Sequence, residues 1–250
     1  PMDARGDTCF EKANAWIVDT PLGSGGAPHR GGTESKYVEH GHHAGYDIDV
    51  YRRIGGYDAN FSHNEDAEYD ARVAKAGGQI YLNGDIRIIY IPRGNVFSLA
   101  RQYFNYGKGR ARTVTKHSMT LRMRQTIPML VLLACIFGIV GGLFFRPLFL
   151  LPLGYAAILA AASLWMMAKH RSGCGLFAGL AAGIMHMSWA CGYIVQSARH
   201  LLVPENKYLV QIPLRTASEK PSEPPATLEI PKAANDDEIT VLAGKASAPE

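Results

Sequence analysis

Between Asp85 and Glu205 the chain carries no acidic residue, and three apolar stretches run through that interval, 127–145, 147–168 and 174–197, none with an internal Lys or Arg. Each is long enough to cross the roughly 30 Å hydrocarbon layer, which takes about 20 helical residues. A single stretch of this kind also fits a buried helix of a soluble protein. Three in succession, parted only by Arg146 and by Lys169-His170-Arg171, predict membrane spans. Gly138, Gly141, Gly142, Gly175, Gly179 and Gly183 allow helix backbones to approach closely, and the last three form two overlapping small-xxx-small pairs. His186, inside the third stretch, is expected to pack inward on a hydrogen-bond partner rather than to relay protons.

Basic residues set the orientation. Arg101, Lys108, Arg110, Arg112, Lys116, Arg122 and Arg124 crowd the segment before the first span, which predicts that this side is cytoplasmic. The Lys169–Arg171 turn returns to the same side and the Arg146 turn faces out. A third crossing then puts the C-terminus outside, yet Arg199, Lys207 and Arg215 follow it. Either the third stretch is re-entrant or the charge rule yields there.

The formal net charge of +4 conceals this basic, acid-free middle. Such asymmetry points to an anionic surface, lipid or nucleic acid. The basic segment adjoins a span and lacks a recognition motif, so membrane lipid is the expected partner and nucleic acid is not. Cys9, Cys135, Cys174 and Cys191 show no CxxC spacing, and neither a disulfide framework nor a zinc site is readable.

Residues 1–118 read as a soluble α/β domain, 119–200 as the membrane region and 201–250 as a flexible, disordered tail rich in Pro, Ala, Ser, Lys and Glu. Within the first, residues 22–32 form a Gly-rich loop. A short helix is expected to end at Gly55-Gly56, and a second to run from near Ser62 to Gly77-Gly78. "QIYLN" and "IRIIYIP", broken by Asn83-Gly84, predict two short strands. This alternation favours a mixed sheet covered by helices.

The second helix opens with an unusual crowd of acids, "FSHNEDAEYDARVAKAGG". Ser62 and Glu65 fit a capping box. Asp66 then falls in the first turn, where the helix dipole favours a carboxylate. Glu68 and Arg72, spaced i, i+4, are expected to pair on the solvent face. Asp66 is left over. An ionised carboxylate held in place can take the proton of an attacking hydroxyl, which is worth on the order of a hundred- to ten-thousand-fold in rate.

The run "GGYDANFSHNEDAEYDARVAKAGGQIYL", continued by "RQYFNYGKGRARTVTKH" and the spans, resembles the C-terminal half of a family 2 glycosyltransferase domain. The resemblance implies the C-terminal part of a GT-A type fold, with a nucleotide-sugar donor such as UDP-glucose. It also implies inverting transfer to a lipid-linked sugar acceptor in exopolysaccharide assembly at the bacterial inner (cytoplasmic) membrane, catalytic part facing the cytoplasm. By that match Asp66 is the base, with Glu65 beside it. Gln102 stands where processive members carry QxxRW, but Asn105 and Tyr106 replace Arg-Trp, which favours addition of a single sugar. Gln102 and Tyr106 remain candidates for the acceptor site.

In "VEHGHHAGYDIDV", His40 and His42 can share a strand face and His43 cannot join them, so no metal ligands are assigned. By the resemblance, His42 and His43 are candidates for sugar or phosphate contacts. A divalent metal, Mg or Mn, is expected in the complete enzyme, held by a DxD motif upstream of the acidic helix. The one D-x-D here, Asp47-Ile48-Asp49, falls in the wrong place. The chain is therefore expected to lack its donor half and to be inactive as written. The competing class is a non-catalytic transport or interaction protein with a small cytoplasmic domain. Against it, the three stretches hold no acid, Lys or Arg and a single histidine, whereas ion pathways need such groups.

Overall fold

The computed structural model describes residues 1–27, 30, 34–41 and 44–202. In chain order these form β1 (Met2–Ala4), α1 (Cys9–Val18), α2 (Pro21–Ser24), β2 (Lys36–Val38), α3 (Ile48–Ile54), α4 (Glu65–Lys75), β3 (Ile80–Leu82) and β4 (Ile88–Tyr90). They continue with α5 (Val96–His117), α6 (Met123–Gly142), α7 (Leu150–His170) and α8 (Phe177–Leu202). Short 3-10 turns, Arg146–Phe149 and Gly173–Leu176, precede α7 and α8. The tail expected beyond residue 202 lies outside the described residues.

Local chemistry sets most boundaries. Thr8 and Glu11 form a reciprocal capping box at the start of α1, each side chain accepting from the other's backbone N–H. α3 begins on Asp47, whose Oδ1 accepts from the N–H groups of Asp49 and Val50, and ends on Gly55 at φ 89°. α4 ends as expected, with Gly77 at φ 81°. Both glycines occupy the left-handed region that side chains avoid.

The mixed sheet is corrected to two separate two-stranded pieces, β1 with β4 in parallel and β2 with β3 antiparallel. The Asn83-Gly84 break does not fold β4 back onto β3. The Asn83 side chain accepts from Asp85 N–H within the turn, and Gly84 N–H donates to Ser35 Oγ, which ties the turn to the segment ahead of β2. The result is mostly helical.

The main core joins α1, α5, α7 and α8 through Ala13, Ile17, Val18, Leu99, Met166, Ala178, Ala181, Ala182 and Met185. Close backbone contact makes it. A Cβ on Gly192 would lie 2.0 Å from the Phe104 carbonyl oxygen, and one on Gly107 2.1 Å from that of Trp189. Gly179 lies as near to Leu159 of α7, so the small-xxx-small reading of the third stretch holds. Three helical segments, Met123–Gly142, Arg146–His170 and Gly173–Leu202, are long and apolar enough to cross a membrane, in agreement with the expected stretches.

His186 does pack inward, its Nε2 2.7 Å from the Leu22 carbonyl oxygen and its Nδ1 2.9 Å from the Tyr155 hydroxyl. The cysteines correct the sequence reading: Cys9 and Cys174, 165 residues apart, are joined in a disulfide, while Cys135 and Cys191 stay free. A pairing over that distance leaves no local spacing to read.

Candidate active site at the start of α4

α4 begins later than expected, and its cap is different. Asn64, at φ 61°, is the N-cap without any side-chain capping bond, so the Ser62–Glu65 capping box does not form. Tertiary contact overrides the local option. The Asn64 amide donates to the Tyr106 carbonyl of α5, and Gly109 lets α5 press on the turn, where an added Cβ would meet the His63 carbonyl oxygen at 2.7 Å. Glu65 and Asp66 both fall in the first turn, where the unpaired N–H groups and the dipole favour negative charge.

Asp66 is 21 % exposed, with Oδ1 accepting from the Ala67 N–H at 2.7 Å. Its Oδ2 faces His40 Nε2 at 3.8 Å. The other ring nitrogen of His40 lies 2.7 Å from Asp70 Oδ2. Asp70 is buried one helical turn beyond Asp66 and also accepts from Gly41 N–H at 3.0 Å and from the Tyr46 hydroxyl at 2.5 Å. Burial first, and then the bond to Asp70, push the Tyr46 phenol well above its ordinary value. It therefore remains a donor that fixes Asp70. The imidazole is thus clamped on one side and presented to Asp66 on the other. His40, Asp70 and Tyr46 were not singled out from the sequence as site residues. The signal was the i, i+4 spacing of Asp66 and Asp70, which puts both carboxylates on one helix face.

Glu68 belongs to a different system. It pairs with Arg72 as expected, at 2.8 Å, but the pair is buried rather than solvent-facing. Lys116 Nζ at 2.8 Å and His117 Nε2 at 3.0 Å complete its shell, and Arg72 also donates to the carbonyls of Ile54 and Gly56. Burial alone would raise the Glu68 carboxyl. The bonds from His117, Arg72 and Lys116 overcome that and hold it at about 2. Arg72 is committed to this network.

Gln102 and Tyr106 lie together on α5. Gln102 Nε2 donates to the hydroxyls of Tyr106 at 3.0 Å and Tyr90 at 3.3 Å, and its Oε1 is buried with no hydrogen-bond partner. Both residues line a cavity of about 380 Å³ shared with His63, Arg93, Arg101 and Asn105. Asn105 Nδ2 is 3.2 Å from His63 Nε2. Burial, opposed by Glu65 and aided by Lys108 and Arg112, holds His63 below the ordinary imidazole range. Burial and Tyr90 raise the Tyr106 phenol against the opposing Gln102 bond and Arg30 charge, and Asp66 is not among the residues that line this cavity. Glu65, half-buried beside Asp66, acts on His63 and Tyr57 through its charge.

His42 and His43 lie outside the described residues. Among the described residues no group of three or more His, Cys, Asp and Glu is arranged to hold a metal ion. Asp47 of the D-x-D spends its carboxylate on the α3 cap.

Comparison with known proteins finds a relative to which this chain is similar along most of its length. That relative is succinoglycan biosynthesis protein ExoA of Rhizobium meliloti (strain 1021), 37 % identical over 196 residues. The match covers 77 % of this chain and 58 % of the relative, so the chain spans less than two thirds of that protein's length. No protein-family model matches the chain, and no solved structure does.

Proposed function

We propose that the chain is the acceptor-side and membrane-bound part of an inverting glycosyltransferase that adds one sugar, such as glucose from UDP-glucose, to a lipid-linked acceptor in succinoglycan-like exopolysaccharide synthesis at the bacterial cytoplasmic membrane. The observation that carries this reading is Asp66. It is a first-turn carboxylate, partly exposed, facing an imidazole that a buried aspartate holds in place. The homology to ExoA supports the transferase class.

In the proposed reaction the acceptor hydroxyl attacks the anomeric carbon from the face opposite the departing diphosphate. Asp66 takes the hydroxyl proton as the new C–O bond forms, and the old C–O bond leaves its electron pair on the nucleoside diphosphate. Glu65 adds negative charge that keeps an approaching proton in this turn. His40 fixes the direction of Asp66. The cavity at Gln102 and Tyr106, with two guanidiniums and no acid among its lining residues, suits a sugar carrying phosphate oxygens. His42 and His43 are assigned to the same substrate. A divalent metal would neutralise the diphosphate in the complete enzyme, but the described residues do not build its site, and no step here depends on it.

The test is Asp66→Asn in the complete gene product, assayed in membranes with labelled nucleotide sugar. Transfer should fall on the order of a hundred-fold or more with expression and thermal unfolding unchanged. Activity within a few-fold of the parent would remove Asp66 from the role of base.

A further inference from the structure

Arginines from two helices meet where α6 begins. Arg110 of α5 donates to the Gln125 side-chain oxygen at 3.3 Å, and the same oxygen accepts from the Arg122 N–H at 3.2 Å. Arg124, the second residue of α6, packs against the turn that ends α2. A Cβ on Gly25, which sits there at φ 62°, would lie 3.2 Å from the Arg124 Cβ. Three segments far apart in sequence thus converge on two arginines, both half-buried.

Protein acids do not neutralise this pair. α5 and α6 contain none, and Glu39, the acid that reaches this corner, is paired with Arg122. Among the described residues no carboxylate pairs with Arg110 or Arg124, and the Arg110 Nε is buried without a hydrogen-bond partner. Burial, and then the Arg124 charge, disfavour the Arg110 cation, with Tyr193 opposing them. Arg124 also stands in a first helical turn, where the dipole disfavours a cation. One anion held between the two guanidiniums would relieve each of these costs, and phosphate oxygens suit the paired N–H groups of a guanidinium.

The position selects the source of that phosphate. α6 is long and apolar enough to cross a membrane, and with α6 in a bilayer its first turn lies at the level of the lipid headgroups. We propose that Arg110 and Arg124 bind the phosphodiester of an anionic phospholipid headgroup at the start of α6. Each guanidinium donates to the free phosphate oxygens, and Gln125 holds Arg110 in place. Basic pockets beside membrane helices bind such headgroups in this way. Neither arginine lines the cavity at Gln102 and Tyr106, and the inference does not depend on the catalytic reading.

Thermal melting of the detergent-solubilised full chain, titrated with phosphatidylglycerol or phosphatidylcholine, tests it. Saturating phosphatidylglycerol should raise the melting temperature by about 5 °C or more, and phosphatidylcholine should move it by less than about 1 °C. The gain should vanish when Arg110→Gln and Arg124→Gln are combined. It should persist when Lys169→Gln and Arg171→Gln remove the same charge from the connection between α7 and α8. Equal losses in the two double variants would mean diffuse attraction and would overturn the site. Inorganic phosphate giving the same gain without lipid would overturn the lipid assignment. A second measurement needs no variant: phenylglyoxal labelling of the parent, read by peptide mass spectrometry. Phosphatidylglycerol should protect Arg110 and Arg124, and labelling unchanged by the lipid would overturn the proposal.

Discussion

The Lys116 ammonium lies 2.6 Å from the Asp58 carboxylate, joining the last turn of α5 to the turn that leads into α4. The same nitrogen reaches Glu68 at 2.8 Å, so one cation bridges two buried acids from separate segments. Removing one partner of a buried pair leaves an uncompensated charge, and the loss far exceeds what the intact pair adds. Lys116→Met should lower unfolding free energy by about 3 kcal/mol. Lys36→Met, which breaks an exposed pair with Glu34, should change it by less than about 1 kcal/mol. Urea unfolding of the detergent-solubilised chain compares the two, and equal effects would contradict the buried network.

Glu68 also sets a pH dependence. Its carboxyl titrates at about 2 in the fold against 4.5 ordinarily. A depressed folded value contributes stability that is present above the unfolded value and lost as pH falls. The contribution, on the order of 3 kcal/mol, should disappear between about pH 4.5 and 2. In Glu68→Gln this part of the acid limb should be absent. Melting temperature recorded across that window in parent and variant decides the point.

Two glycines with opposite surroundings make a matched experiment. A Cβ on Gly192 would sit 2.0 Å from the Phe104 carbonyl oxygen, whereas nothing lies within 4 Å of one on Gly154. Gly192→Ala should therefore force α5 and α8 apart and cost about 1–3 kcal/mol. Gly154→Ala, in the interior of α7, should be neutral or gain up to about 1 kcal/mol from improved helix propensity. Thermal melting of both variants would show whether the α5–α8 contact is as close as the structure has it.

What the sequence made legible follows from the range over which each feature is decided. Apolar runs and glycine stops are local properties, so the extents of α6, α7 and α8 and the ends of α3 and α4 were readable in advance. The acidic turn was readable too, because its chemistry lies within a few residues. Partnerships made over long separations were not. His40 meets Asp70 across 30 residues, Glu68 meets His117 across 49, and Cys9 meets Cys174 across 165. The same holds for the cap of α4. A Ser-x-x-Glu pattern offered one local solution, and the contacts of Asn64 and Gly109 with neighbouring elements selected another. The split of the strands into two pairs likewise depends on β1 and β2, which are too short to declare their partners.

α5 is gripped on two counts, at Gly109 by the turn bearing Asn64 and at Gly107 by the backbone of α8. The proposed chemistry is thereby tied to a helix that leads, five residues on, into α6, which is long and apolar enough to cross a membrane. With α6 in a bilayer, these contacts would help to fix the height of Asp66 above it. An acceptor tethered by a lipid tail would be measured against that ruler, and only a hydroxyl carried at the right elevation would come within reach of Asp66.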